Sequence, residues 1–481
     1  MTNNAQLPSS HSYNMAFVWR VSLVAAMGGL LFGYDWVVIG GAKPFYETFF
    51  RIEEMSWLQG WAMSSALVGC LAGAVISGML ADRFGRKRLL VTAAVLFTAS
   101  AVGTALASDF TWFNVFRIVG GVGIGLASSL SPMYIAEVSP AAVRGRLVSV
   151  NQLTIVIGIL AAQVVNWLIA QPVPEDATAE FIRQSWNGEL GWRWMFGAET
   201  VPAAAFFLLM FFVPESPRWL AKFGRDEQAE GVLRRVGGEA YARAELADIR
   251  ATLASEEIGH VRFTDLLEPR VFRIVLLGAI LAFYQQWCGI NVIFNYAHDI
   301  FREAGYGVSS NMVNIVITGV TNLVFTFVAI FTVDRIGRRP LMLFGSAGLA
   351  VIYAILGTCY SLEIYGPHML ILVVAGIGCY AMSLAPVVWV VLSEIFPNRI
   401  RGAAMAVAVF TLWTGCTTLT FSFPILFDGF ETATTQWGGL GMHGVFWVYG
   451  VICLLGFTYV FIKLPETKGK SLEQIERELV D

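Results

Sequence analysis

The chain has 481 residues, of which 56% are hydrophobic and only 14% are charged. In soluble domains about a quarter of the residues are charged, so this composition excludes a soluble globule and places the chain in a membrane. The formal net charge of −3 gives no sign of a nucleic-acid-binding surface, and no nucleic-acid partner is expected.

The residue types that carry catalysis or bind metals are scattered along the chain. Six cysteines show no CxxC spacing, five histidines form no HExxH motif, and neither a nucleophile elbow nor a Walker pattern occurs. We therefore expect neither an enzyme nor a bound metal or cofactor.

Twelve apolar runs are each long enough to cross a bilayer. A hydrocarbon core of ~30 Å takes about 20 helical residues, whereas the strands of a membrane barrel are only about 10 residues long. We therefore predict an all-α membrane protein. The predicted transmembrane helices span residues 17–40, 57–81, 89–108, 111–135, 145–170, 191–213, 272–300, 311–331, 340–361, 368–396, 402–428 and 441–463.

Lysine and arginine are distributed unevenly between the two sides of these helices. If the N-terminus is cytoplasmic, the inner segments hold 26 of the 32 basic residues, the outer loops hold five, and Arg117 lies within a span. Cytoplasmic loops of membrane proteins carry an excess of basic residues. We therefore expect both termini in the cytoplasm.

Three short motifs occur twice in the same order. DRFGRKRLL at 82–90 recurs as DRIGRRPLM at 334–342, EVSPAAVRG at 137–145 as EIFPNRIRG at 394–402, and PESPRW at 214–219 as PETKGK at 465–470. Equal order and nearly equal offsets predict two six-helix bundles related by an axis along the membrane normal.

The repeat defines the predicted domains. We place an N-terminal six-helix bundle at residues 1–213, a C-terminal six-helix bundle at 272–463 and a cytoplasmic tail at 464–481. Residues 214–271 connect the bundles. This connection is charged and rich in alanine and leucine over 226–257, which predicts a solvated helical linker on the cytoplasmic side.

Several motifs resemble those of a known family. GMLADRFGRK at 78–87 fits the G-x-x-x-D-R-x-G-R-K loop of the major facilitator superfamily, and PESPRWL at 214–220, QQWCGIN at 285–291 and PETKGKSLEQIE at 465–476 resemble its sugar porter family. The agreement covers nearly the whole chain. The chain thus resembles bacterial proton-coupled pentose and hexose symporters and, more distantly, animal glucose facilitators.

The first predicted span carries an acid, Asp35, inside the stretch LLFGYDWVVIGG. An ionised carboxylate near the bilayer centre costs ~2.5 to 3.5 kcal/mol on insertion scales. Counted along ideal helices from Arg20 and Trp112, Asp35 and Arg117 each lie ~8 Å from the outer boundary of the core. We therefore expect the two charges to meet at the same depth.

This pair suggests proton coupling. A carboxylate keeps its proton more tightly when buried and less tightly beside a guanidinium. In the sugar porter family an acid at this FGYD position marks proton symporters, whereas facilitators typically carry asparagine. We expect Asp35 to take up a proton from outside, release Arg117 and favour sugar loading before inward reorientation; the alternative is a static pair that fixes helix register.

Sugars present hydroxyls and apolar C–H faces, so a sugar site needs amides and aromatic rings. The seventh span supplies Gln285, Gln286 and Asn291. On an ideal helix Gln286 and Asn291 would point ~140° apart. We therefore expect Gly289 to break or loosen this helix.

The resemblance assigns sugar contacts to residues of other spans, namely Phe32, Gln152, Asn322, Trp389 and Trp413. Asn295 stands where the family often has a tyrosine, and this departure leaves xylose, arabinose, glucose, galactose and a cyclitol all open. A purely structural role for these residues also stays open, because an isolated amide side chain inside a membrane more often forms a hydrogen bond between helices.

Charged residues cluster on the predicted inner loops. Loop topology alone would explain the basic ones, but the resemblance implies a gate, in which charges bridge the cytoplasmic ends of the bundles when the carrier faces outward. The predicted gate residues are Asp82, Arg83, Arg86, Glu137 and Arg144, their counterparts Asp334, Arg335, Arg338, Glu394 and Arg401, and the companions Glu199, Glu215 and Arg218.

We therefore interpret the chain as a monomeric twelve-helix carrier of a bacterial inner membrane, which imports a pentose or hexose together with a proton by alternating access. A facilitative sugar uniporter with the same pocket is the nearest alternative. A sugar sensor that does not transport is less favoured, because sensors usually have a long cytoplasmic tail and the predicted tail is short.

Overall fold

The computed structural model describes residues 13–174, 177–258, 266–396, 400–431, 436–468 and 470, without the side chains of 255–258, 334, 430, 431, 436 and 437. The described chain is almost entirely helical. Its helices as far as residue 258 are α1 Met15–Phe50, α2 Ser56–Phe84, α3 Arg86–Leu106, α4 Phe110–Val138, α5 Ala141–Ile169, α6 Ala179–Gln184, a π-helical turn Asn187–Gly191, α7 Trp192–Gly197, α8 Thr200–Met210, α9 Pro217–Lys222 and α10 Asp226–Ile258.

The rest of the described chain repeats this organisation. Its helices are α11 Pro269–Trp287, α12 Ile290–Asn295, α13 Ala297–Glu303, α14 Val308–Ile336, α15 Arg338–Ser361, α16 Pro367–Ala381, α17 Leu384–Ile395, α18 Arg401–Asp428 and α19 Gly441–Lys463. A short antiparallel pair, β1 Phe430–Glu431 and β2 Gln436–Trp437, lies between α18 and α19.

Eleven segments of the described chain are long and apolar enough to cross a membrane. The predicted sixth span, 191–213, is instead divided between α7 and α8. Pro202 explains this division, because it has no N–H to donate to the carbonyl of Ala198 four residues earlier. The fold is therefore the predicted twelve-span architecture with one span assembled from shorter helices.

The first span runs about ten residues further than the predicted end at residue 40. The helix continues because Gly40 packs against the second half, where an added Cβ would lie 2.8 Å from the carbonyl oxygen of Asn295. Lys43 is also paired with acids inside the protein, so its charge does not force the helix to end.

The linker helices dock on one end of the bundle, which we call the linker face; the opposite end is the far face. The Asn14 N–H donates to the carbonyl of Val236 at 2.8 Å, and Tyr13 contacts Tyr241 edge to face. Gly237 and Gly238 kink α10 with non-helical backbone angles. These contacts attach the connection to the start of α1.

Two spans of the second half are discontinuous. Gly289 has a φ of 87° and separates α11 from α12, as the angular argument predicted. A second break at Met382 and Ser383 separates α16 from α17 and was not predicted. Pro386 accounts for it, because proline has no N–H to donate to the carbonyl of Met382 four residues earlier.

The Gly289 break provides a test. Replacing Gly289 with Ala puts a side chain into a left-handed conformation, which costs L-residues about 1–2 kcal/mol, and its Cβ would lie 2.8 Å from the Tyr449 ring. We expect a lower apparent unfolding temperature in detergent. Gly78→Ala on α2 is the control, because a Cβ there meets open space; equal unfolding temperatures for the two variants would contradict this account.

Candidate functional site

Asp35 and Arg117 are in direct contact inside the first half. Arg117 Nη1 donates to Asp35 Oδ1 and Nη2 donates to the Asp35 carbonyl oxygen at 3.2 Å. The side chains are only 1% and 2% exposed. Gly120 of α4 lets the carboxylate approach, because a Cβ there would lie 2.7 Å from Asp35 Oδ2. The two charges placed at one depth by helix counting therefore form a buried ion pair.

One oxygen of this pair is unused. Asp35 Oδ2 is buried and accepts no hydrogen bond from any residue that the structure describes. A buried carboxylate oxygen without a donor is costly as an anion and gains a donor of its own when it is protonated. The geometry therefore leaves a place for one proton on Asp35.

Glu199 corrects the predicted gate. The side chain is 2% exposed and interacts electrostatically with Asp35 and Arg117, so it belongs to the interior rather than to the gate. The sequence contained a signal for this position, because Glu199 lies eight residues inside the predicted span 191–213. Counting helical rise from the outer end of that span, as was done for Asp35, would have placed Glu199 near the ion pair.

Amide side chains of α11 and α12 form a connected cluster. Gln285 donates to the carbonyls of Leu384 and Ala385 at 3.3 Å, at the start of α17 beyond the second break. Gln286 donates to Gln285 Oε1 at 3.2 Å, and Asn291 donates to Gln286 Oε1 at 2.5 Å. The break at Gly289 thus brings together two residues that an uninterrupted helix would separate.

Other predicted sugar contacts differ in their placement. Asn295 and Asn322 are 3% and 6% exposed, and Asn295 Oδ1 has no donor among the described residues. Gln152 is exposed on α5, and Trp389 is 39% exposed on α17. A shared role of these four side chains with the amide cluster stays a prediction.

Aromatic rings from both halves meet near this cluster. Phe32 and Trp413 lie 5.8 Å apart between ring centroids, and Trp36 lies 5.8 Å from each of them. Trp36 was not singled out by sequence. Neither was Gln163 of α5, which is 1% exposed, has neither amide atom bonded to a described residue, and contacts Gly319 of α14.

The gate charges of the first half form a circuit at the linker face. Arg86 pairs with Glu137 at 2.9 Å and with Asp82 at 3.3 Å. Glu215 Oε1 accepts the backbone N–H groups of Arg86 and Lys87, each at 3.0 Å. These are the first N–H groups of α3, where a helix favours an anion.

The second half builds the same circuit from the repeated motifs. Arg338 pairs with Glu394 at 2.9 Å, and Glu466 accepts the backbone N–H groups of Arg338 and Arg339 at 3.1 and 3.0 Å. Thr467 donates to Glu394 at 2.6 Å, as Ser216 donates to Glu137 at 2.5 Å in the first half. Sequence reasoning missed Glu466 and Thr467, although the PESPRW and PETKGK repeat contains them.

The remaining gate residues are placed as follows. Arg83 is exposed and lies over the Phe84 ring at 5.3 Å, Arg335 is exposed, and Arg218 is half-buried. Arg401 donates to the carbonyl of Phe396 at 3.3 Å, and the side chain of Asp334 lies outside the described residues. Arg144 is exposed and faces Glu245 of α10: burial raises the pKa of Glu245, and Arg144 opposes that rise.

A buried ion triad joins the two halves at the far face. Lys43 Nζ on α1 lies 2.9 Å from Asp299 on α13 and 3.0 Å from Glu47 one turn further along α1. The three side chains are 3%, 5% and 7% exposed. They lie on the wall of a cavity of about 530 Å³, together with Tyr296. The triad crosses between the halves and therefore ties them together at the far face.

Comparison with known proteins gives one consistent result. A family model described as "Sugar (and other) transporter" matches residues 21–479. An arabinose-proton symporter of Bacillus subtilis is 38% identical over 98% of this chain and 97% of its own length. A D-xylose-proton symporter of Escherichia coli is 39% identical over 96% of both chains. The inward open structure of the E. coli xylose transporter matches with a TM-score of 0.81 at 36% identity, covering 96% of this chain and 99% of that one.

The far-face triad gives a second test. Replacing Lys43 with Met removes the cation that separates Glu47 and Asp299, and two buried carboxylates left facing each other repel. We expect the far face to open. Spin labels at cysteines introduced for Ser108 and Ser361, which lie at the far-face ends of α3 and α15, should then report a longer distance between the halves.

The control for this test is Arg302→Gln. Arg302 is 56% exposed and lies 3.6 Å from Asp299, so this change removes a neighbouring exposed cation and leaves the buried triad intact. Half-buried Cys359 is replaced by Ser in every variant to limit stray labelling. The same distance distribution in Lys43→Met and Arg302→Gln would show that the triad does not hold the far face closed.

Proposed function

The chain belongs to the sugar (and other) transporter family, and on that premise we propose that it is a proton-coupled symporter, which imports a pentose or hexose by alternating access. The observation that carries the proton part is the buried contact of Asp35 with Arg117. This contact supplies a titratable group whose proton affinity depends on the distance to one cation.

The proposed cycle places the linker face in the cytoplasm, in line with the excess of basic residues in the linker-face segments. In the outward-facing state Asp35 takes up a proton, its hold on Arg117 weakens, and sugar binds between the halves. Reorientation closes the far face through Lys43 and Asp299. Release of sugar and proton on the cytoplasmic side lets Arg117 return to the Asp35 carboxylate, the arrangement in this structure.

The proposed sugar site combines the amide cluster with the aromatic rings beside it. Gln285, Gln286 and Asn291 offer both donors and acceptors, as the hydroxyls of a sugar require. Phe32 and Trp413 offer apolar faces to the C–H groups of the ring. These groups come from both halves, so a bound sugar changes its surroundings when the halves move.

The proposed gate works on the cytoplasmic side. In each half an arginine, Arg86 or Arg338, pairs with a glutamate of the same half. In the outward-facing state these charges would connect the N-terminal bundle, residues 1–213, with the C-terminal bundle, residues 272–463. The protein is proposed to act as a monomer in a bacterial inner membrane, because the site lies within one chain.

Transport in proteoliposomes tests this function. We expect purified protein to accumulate at least one sugar of a pentose and hexose panel against its gradient when a proton gradient is imposed, and only to equilibrate it without one. Equilibration that ignores the proton gradient would favour a facilitative uniporter, and binding without any flux would favour a sensor.

Asp35→Asn tests the proton role. The amide cannot exchange a proton, so we expect uphill accumulation to be lost while exchange between equal sugar pools continues. Asp226→Asn is the control, because Asp226 is a carboxylate of the linker helix α10 that pairs with Arg250 at 2.5 Å, and we expect it to keep accumulation. Accumulation by Asp35→Asn would refute the assignment, and a Glu199→Gln variant shows whether the neighbouring acid carries the proton instead.

A further inference from the structure

Trp36 of α1 lies between the proposed proton site and the proposed sugar site. It directly follows Asp35 and stands one turn after Phe32 on α1, with a centroid distance of 5.8 Å between their rings. Trp413 reaches both rings from α18 of the other half. The family resemblance assigns Phe32 and Trp413 to sugar contacts but gives Trp36 no role.

The aromatic triangle adjoins the amide cluster. Cys416 follows Trp413 by about one turn of α18, and its sulfur accepts a hydrogen bond from Asn291 Nδ2 at 3.5 Å. Asn291 is in turn bonded to Gln286. The amide cluster and the aromatic triangle therefore lie about one turn of α18 apart.

The indole nitrogen of Trp36 is a donor without an acceptor. Two buried tryptophans donate to the protein: Trp192 to the Gly188 carbonyl at 3.0 Å and Trp219 to the Asp82 carbonyl at 2.9 Å. Within the part of the chain that the structure describes, Trp36 Nε1 has no acceptor, although the residue is half-buried and the nitrogen is not closed off from solvent. An indole N–H that reaches solvent is free to donate to a water molecule or to a hydroxyl of a bound sugar.

We propose that Trp36 is a sugar-contacting and specificity-determining residue of the symporter: its indole packs on a C–H face of the pyranose ring, and Nε1–H donates to a sugar hydroxyl. This inference rests on the proposed function. The indole is the largest side chain available, so in this assignment it would narrow the sugar site beside Asp35. The site therefore favours a pentose, which has no exocyclic hydroxymethyl group, over a hexose.

Sugar binding to the purified full-length protein, measured by calorimetry with xylose, arabinose, glucose and galactose, tests this inference. We expect Trp36→Ala to raise the Kd of the preferred pentose about tenfold, the scale of a lost aromatic contact and hydrogen bond, and to shift the ranking toward hexoses. Trp36→Phe keeps a ring but loses the N–H, so an intermediate rise is expected. Trp194→Ala is the control, because Trp194 is 61% exposed on α7.

Several results would overturn the inference. Unchanged Kd values in both Trp36 variants would exclude a sugar contact, and an equal rise for every sugar would exclude a role in selection. If Trp36→Ala does not fold, Trp36→Phe decides alone. The Trp36→Ala variant could also keep the wild-type Kd for sugar but lose the response of transport to a proton gradient. That result would make Trp36 a positioning residue for Asp35 instead of a sugar contact. A wild-type protein that binds no sugar of the panel would instead refute the proposed function itself.

Discussion

A carboxylate and a guanidinium lie against each other in the interior of the first half, where neither charge is stable alone. An ionised acid near the bilayer centre costs ~2.5 to 3.5 kcal/mol on insertion scales, so Asp35 needs either Arg117 or a proton. The structure provides the first option through the contact with Arg117 and leaves the second open at Oδ2. Under the proposed function, the choice between a cation and a proton is what links transport to the proton gradient.

The helix that carries Asp35 also contacts the second half of the protein. Asp35 and Lys43 lie on the same long helix, and Lys43 binds Asp299 of the opposite half. Trp36, next to Asp35, touches Trp413 of that half. Movement of α1 therefore reaches both the far-face closure and the aromatic wall. At the linker face the repeated arginine–glutamate circuits connect helices within each half.

The sequence predicted those features that follow from local or additive physics. Span number followed from the length of apolar runs, the meeting of Asp35 and Arg117 from helical rise, and the break at Gly289 from the angle between Gln286 and Asn291. The failures involve partners distant in sequence. The extension of α1 brings Lys43 to Asp299, which is 256 residues away in sequence, and Glu199 was assigned by resemblance rather than by depth. The breaks near Ala198 and Met382 follow from Pro202 and Pro386, whose missing N–H groups were visible in the sequence but not used.

Under the proposed function, sugar binding and protonation of Asp35 favour each other. Coupling of two binding events is reciprocal, so adding a transported sugar to purified protein in weakly buffered detergent solution should draw protons from the medium, as reported by a pH indicator. We expect proton uptake by the wild-type protein and none by an Asp35→Asn variant that still binds the sugar. Equal uptake by both proteins, or no uptake by the wild type at any pH where sugar binds, would contradict it.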